Sequence, residues 1–166
     1  MSTETTTGQR PTLLTVICIL SFIAGAFGLW SGFQNAFTDA PQRELEKAKA
    51  QIQESMDQMG DAAASNPMVS RMMEDGLAMA ETAAEKAKPI GYTNLALTLL
   101  GLLGVWQMWN LKKNGFWLYL IASIGGLIAP LVFLGTSMVA IMSVGLIGLI
   151  SIVFIILYAV NLKHMS

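Results

Sequence analysis

The stretch NGFWLYLIASIGGLIAPLVFLGTSMVAIMSVGLIGLISIVFIILYAVNL, residues 114–162, runs for 49 residues without an Asp, Glu, Lys or Arg. A helix that crosses a bilayer needs about 20 predominantly apolar residues. The stretch therefore holds two such helices, with the break at Gly135-Thr136-Ser137. Two further runs carry no Asp, Glu, Lys or Arg, from Pro11 to Phe37 and from Pro89 to Leu111, and each is long enough for one span. The expected spans are residues 12–37, 90–110, 116–134 and 138–162. They predict an all-α integral membrane four-helix bundle. Around them lie a polar N-terminal tail (1–11), an extramembrane helical hairpin between spans one and two (38–89), and a basic C-terminal end (163–166).

Two other readings fit less well. Soluble core helices of this length without charges are rare. A cleaved signal has an apolar region of about 7–15 residues, shorter than the first run, and its best cleavage site, Thr38-Asp39-Ala40, is followed by Pro41.

The whole chain has 166 residues, a one-domain length, with 54% hydrophobic and 13% charged residues. That charged share is roughly half that of globular proteins. A formal net charge of −1 leaves no basic surplus for nucleic acid. One cysteine excludes an internal disulfide, and one histidine argues against a histidine-built metal site. Neither a phosphate loop nor a Ser/His/acid triad is present, so the expectation is a protein without enzymatic activity, cofactor or metal.

Four spans place both termini and the link between spans two and three on one face. That face carries Arg10, Lys112, Lys113 and Lys163 against Glu4 alone, a net charge of +3. The other face carries six cations and ten acids, for −4. The count of Lys and Arg alone favours the second face as cytoplasmic. However, Lys112-Lys113 lies directly against the membrane, whereas the six cations are spread among acids over fifty residues. The expected topology puts the termini in the cytoplasm and residues 38–89 in the periplasm. Asn110-Leu111-Lys112-Lys113 and Asn161-Leu162-Lys163-His164 end spans two and four alike, each with a Lys able to snorkel to the headgroups. Trp106, Trp109, Phe116, Trp117 and Tyr158 form an aromatic belt at this edge, and Trp30, Phe33 and Tyr92 one at the other.

Helices in lipid associate through small residues that let backbones approach. Span one supplies Ser21, Gly25, Gly28 and Gly32 on one face, and span two Asn94, Thr98, Gly101 and Gly104. Span three supplies Ala122, Gly125, Gly126 and Ala129, then Pro130, which is expected to kink it at mid-membrane. Span four adds Gly145 and Gly148. These rows serve internal packing or contact with another protein's helix. No ionisable Asp, Glu, Lys, Arg or His lies within a span, which disfavours ion-coupled transport and proton relays.

In the 38–89 segment, Thr38 or Asp39 is placed to cap a first helix with Pro41 in its first turn, and Gly60 to end it. Asn66-Pro67 starts a second helix, which Pro89 and Gly91 break before span two. Glu44–Lys47, Glu46–Lys49 and Glu85–Lys88 are spaced to pair along an exposed face. Leu45, Ala48, Ile52, Met56 and Met59 face Val69, Met72, Met73, Leu77, Ala80, Ala84 and Ala87 at helical spacing. The two helices would make an antiparallel hairpin, about 30 Å long, standing off the membrane. Six of the eleven methionines fall here. Thioethers select Cu(I), but with no His or Cys nearby and seam-like spacing, packing or a partner contact is the better account. Cys18 reads as a small apolar residue.

Arg10-Pro11-Thr12-Leu13-Leu14-Thr15-Val16-Ile17-Cys18-Ile19-Leu20, Gly115-Phe116-Trp117-Leu118-Tyr119-Leu120 and Tyr158-Ala159-Val160-Asn161-Leu162-Lys163-His164-Met165 resemble an uncharacterised group of small four-span membrane proteins from Bacteroidota-type bacteria. The resemblance covers the spans and not residues 38–89. It implies an inner-membrane location and no activity. Two functions are expected in order: an accessory or scaffold subunit whose hairpin meets another membrane or periplasmic protein or a second copy, and a small pore or carrier for a neutral or lipid-like solute. The second would be lined by Asn94, Thr98, Gln107 and the Pro130 kink.

Overall fold

The computed structural model describes residues 11–59 and 66–165. The tail with Glu4 and Arg10, and the hairpin turn with Gly60, lie outside the described residues. Six α-helices follow in order: α1 Thr12–Phe37, α2 Ala40–Met59, α3 Pro67–Glu85, α4 Ala87–Trp109, α5 Asn114–Leu134 and α6 Met138–Asn161, closed by a short 3₁₀ turn at Leu162–His164. α1, α4, α5 and α6 are long and apolar enough to cross a membrane. The protein is a multi-pass membrane protein, an all-α four-helix bundle with a helical hairpin outside it. Large apolar side chains point outward on all four spans, such as Ile23 and Phe27 on α1, Leu99 and Leu103 on α4, Ile128 and Val132 on α5, and Leu146 and Ile156 on α6. In water such a surface would aggregate; in lipid it is the solvent-facing surface.

Local chemistry explains where the helices stop. Thr38 accepts the Ala40 N–H at 3.2 Å and donates to the Gln34 carbonyl at 2.7 Å, so it ends α1 and starts α2. The Asn66 side chain accepts the Met68 N–H at 3.1 Å, with Pro67 as the first residue of α3. The α5–α6 break uses Gly135 at φ +80°, which side chains rarely tolerate, and Ser137, which accepts the Ala140 N–H at 3.2 Å. α4 ends in a Schellman motif: Lys112 N–H to Gln107 O and Leu111 N–H to Met108 O, both 2.9 Å. The left-handed residue of this motif is Leu111 at φ +60°, and its side chain packs on the core.

Pro89 does not end the hairpin. The chain breaks at Lys86, and Pro89 sits in the first turn of α4, where its missing N–H has no intrahelical partner to lose. Span two therefore starts three residues before the expected Ile90. Pro130 is also not at mid-membrane: it lies near the hairpin end of α5, and the helix continues through it to Leu134.

α4 packs along α1 on one side and α5 on the other; α6 lies on α5 and meets α1 as well. Gly91 abuts the Ala36 backbone, where a Cβ would stand 2.5 Å from its nitrogen. At the other end Gly104 lies against the Gly115 carbonyl and the Tyr119 nitrogen, with 2.7 Å left for any Cβ. The hairpin does not stand free. α3 touches α4, α5 and α6 as well as α2, and Lys86 Nζ donates to the Phe133 carbonyl at 3.1 Å. That carbonyl belongs to the last turn of α5, where unpaired acceptors favour a cation. Among the described residues the one ion pair is Lys49–Glu81, 3.0 Å, between α2 and α3. The expected pairs Glu44–Lys47, Glu46–Lys49 and Glu85–Lys88 are not formed: Lys49 reaches across the hairpin to Glu81 instead of Glu46, and the helix break at Lys86 separates Glu85 from Lys88.

Candidate functional site

All four spans contribute to one cleft of about 300 Å³ near the middle of the bundle. α1 presents Ser21, Gly25 and Gly28, α4 presents Asn94, Thr98 and Gly101, and α5 presents Tyr119, Ser123 and Gly126; Ser151 and Phe154 come from α6. No Asp, Glu, Lys, Arg or His lines it. Its polar character is therefore wholly neutral, as the depth of the membrane demands. A second cavity of about 130 Å³ shares Asn94, Leu97 and Gly126 with the first and is bordered by Pro130. Pro130 has no N–H for the carbonyl four residues earlier, so the Gly126 carbonyl is left without its helical donor. The half-buried Asn94 amide has no hydrogen-bond partner among the described residues and borders both cavities.

The bundle is closed at the end that carries Lys112 and Lys113. Leu14, Ile17, Cys18, Val105, Met108, Phe116, Tyr158 and Met165 pack there as a buried core, with Tyr158, Cys18 and Met108 at 0% exposure. The Tyr158 hydroxyl donates to Ser21 Oγ at 2.8 Å, and its ring meets Tyr119 edge-on at 4.9 Å. Tyr158 and Phe116 thus leave the aromatic belt expected from sequence. Each is buried, because a ring facing the bundle finds partners that lipid cannot offer. Trp106, Trp117 and Trp30 stay exposed, as belt residues do.

On the hairpin, α2 and α3 leave a groove of about 570 Å³ lined by Ala48, Ile52, Val69, Met72, Met73 and Gly76, with Val139 of α6 at its edge. Met56 is exposed and does not border this groove, and the side chain of Met59 lies outside the described residues.

The small residues singled out from sequence divide into two groups. Gly25, Gly28 and Gly32 of α1 sit against Leu102, Thr98 and Leu95 of α4, Gly125 sits against Leu97, and Gly104 sits against Gly115. Gly126 and Gly145 face open space, and Gly101 makes ordinary contact with Ala122. Of the residues expected to line a solute path, Asn94 and Thr98 meet in the cleft and Pro130 borders the adjoining cavity. Gln107 lies near Gly115 and borders neither cavity. Tyr119, Ser123 and Ser151 were not anticipated. Single hydroxyls in an apolar run resemble ordinary helix residues that bond their own backbone, so no local signal separates them. Among the described residues no cluster of three or more His, Cys, Asp or Glu is placed to hold a metal ion.

No family model matches the chain, and neither do any of the curated proteins or solved structures compared with it.

Proposed function

We propose that the chain is a non-enzymatic accessory or scaffold subunit of the inner membrane, whose bundle holds the hairpin at the membrane surface for contact with a partner protein. The hairpin groove carries this reading. Its methionine and aliphatic lining is half-open, and flexible thioethers adapt to varied apolar surfaces. The loop around it bears ten acids and six cations. An amphipathic helix with an apolar face and basic flanks matches both features. Replacing Met72 and Met73 with Asp should release such a partner in native-membrane co-purification while membrane insertion is unchanged. Retention of the partner by the double variant excludes the groove as the contact.

The cleft favours a second reading, a carrier of a neutral or lipid-like solute. Asn94, Thr98, Ser123 and Ser151 line a space without charge, and the packed core at the Lys112–Lys113 end argues for a blind cleft over a through-pore. Reconstituted vesicles should then show solute flux that Asn94→Leu removes.

A further inference from the structure

We infer that the cleft binds a neutral glycerolipid, of the mono- or diacylglycerol class, with its hydroxyl or ester head at Asn94 and Thr98 and its chain leaving between α1 and α6. The proposal deepens the carrier reading and rests on the same cleft, but not on flux. Three features select the ligand. First, no charged side chain lines the space, so a phosphate or carboxylate head would lie unpaired in a low dielectric. Second, the polar groups offer donors and acceptors together. The Asn94 amide lacks a partner among the described residues, the Gly126 carbonyl has lost its helical donor to Pro130, and the Thr98, Ser123 and Ser151 hydroxyls stand beside them. A bare hydrocarbon would leave these groups unmatched, whereas a hydroxyl or ester meets both kinds. Third, a volume of about 300 Å³ lies at the lower end of small-molecule sites and suits a head and its first carbons, not a whole lipid. Ser21 and Ala24 of α1 and Ile150, Ser151 and Phe154 of α6 line the cleft as well, and in the proposed complex the remaining chain leaves between these two helices to the bilayer.

The test uses the full chain in phosphatidylcholine vesicles carrying a trace of diacylglycerol with a diazirine on the first chain carbons. After irradiation, cross-links are mapped by mass spectrometry. They should fall around Asn94, Thr98 and Gly126 and be competed by excess unlabelled dioleoylglycerol. A phosphatidylcholine bearing the same diazirine should mark lipid-facing Leu146 and Ile156 and spare the cleft. Asn94→Leu should lower cleft labelling about five- to tenfold, the loss expected for a neutral hydrogen bond. Gly126→Leu should abolish it. A Cβ at Gly126 meets nothing within 4 Å, so the leucine enters open space, and it is a better helix former than glycine, which keeps the bundle intact. Equal labelling of the cleft by the phosphatidylcholine probe, or undiminished labelling of Gly126→Leu, overturns the proposal. Labelled cleft without vesicle flux removes the carrier reading and leaves the site standing; flux without cleft labelling removes the site.

Discussion

Tyr158 brings a phenol into a span otherwise built almost entirely from aliphatic residues, and Ser21, 137 positions earlier, accepts its hydrogen bond. Both residues are buried, and the bond gives each hydroxyl a partner that hydrocarbon withholds, so removing either leaves the other unmatched. Tyr158→Phe and Ser21→Ala should each cost about 1 kcal/mol in thermal unfolding of the micelle-bound chain, and the double variant little more than either. Tyr158→Ala should cost about 3 kcal/mol or more, since it empties the middle of the buried core. Additive single and double losses show that the hydroxyls act independently. No pattern in the sequence reveals this bond. Tyr158 sits among snorkelling and belt residues near a span end, and only the approach of α6 to α1 turns it inward.

Among the elements, α4 is the centre of assembly, because α1 and α5 both lie against it through backbone-to-backbone approaches. Gly104→Leu forces a side chain into the Gly115 carbonyl and the Tyr119 nitrogen, where no flexible group can yield. It should broaden or split the size-exclusion peak in mild detergent. Gly145→Leu, with nothing within 4 Å in the chain, should leave it unchanged. An unchanged Gly104→Leu profile contradicts the close α4–α5 crossing. The hairpin is tied less firmly. Lys86→Met removes the bond to the Phe133 carbonyl, worth about 0.3–1 kcal/mol at an exposed helix end, and should speed limited proteolysis within α3 relative to the parent chain. The same protection in both chains means the tie is dispensable. The spans were legible because bilayer hydrocarbon punishes charge, and 49 residues without one admit few other accounts. Their edges were less so. Pro89 looks like a terminator, yet a first turn has no use for the N–H it lacks. Glu44–Lys47 and Glu46–Lys49 fit helical spacing, yet Lys49 pairs across the hairpin with Glu81, and spacing along one helix carries no information about the next.

For the molecule as a whole, orientation can be read with cysteine chemistry, because the native Cys18 is fully buried. With the termini cytoplasmic, Gln53→Cys should react with an impermeant maleimide on intact cells, and Lys112→Cys only after permeabilisation; the reverse pattern inverts the topology. Half of the cleft was visible beforehand. Asn94 and Thr98 are conspicuous as polar residues in a charge-free run, while Tyr119, Ser123 and Ser151 acquire meaning only when α5 and α6 bring them opposite. Gln107 was equally conspicuous and lies elsewhere, since at 3.6 residues per turn its offset from Thr98 is about two and a half turns and puts it on the other side of α4. The buried core at the Lys112–Lys113 end has one more consequence, and it is electrical. An ion entering there would leave water for packed aliphatic and aromatic side chains, a transfer that costs tens of kcal/mol without compensation. Planar bilayers containing the chain should therefore conduct no better than bare lipid under an applied voltage, and a conductance above that of bare lipid means that water reaches through this core.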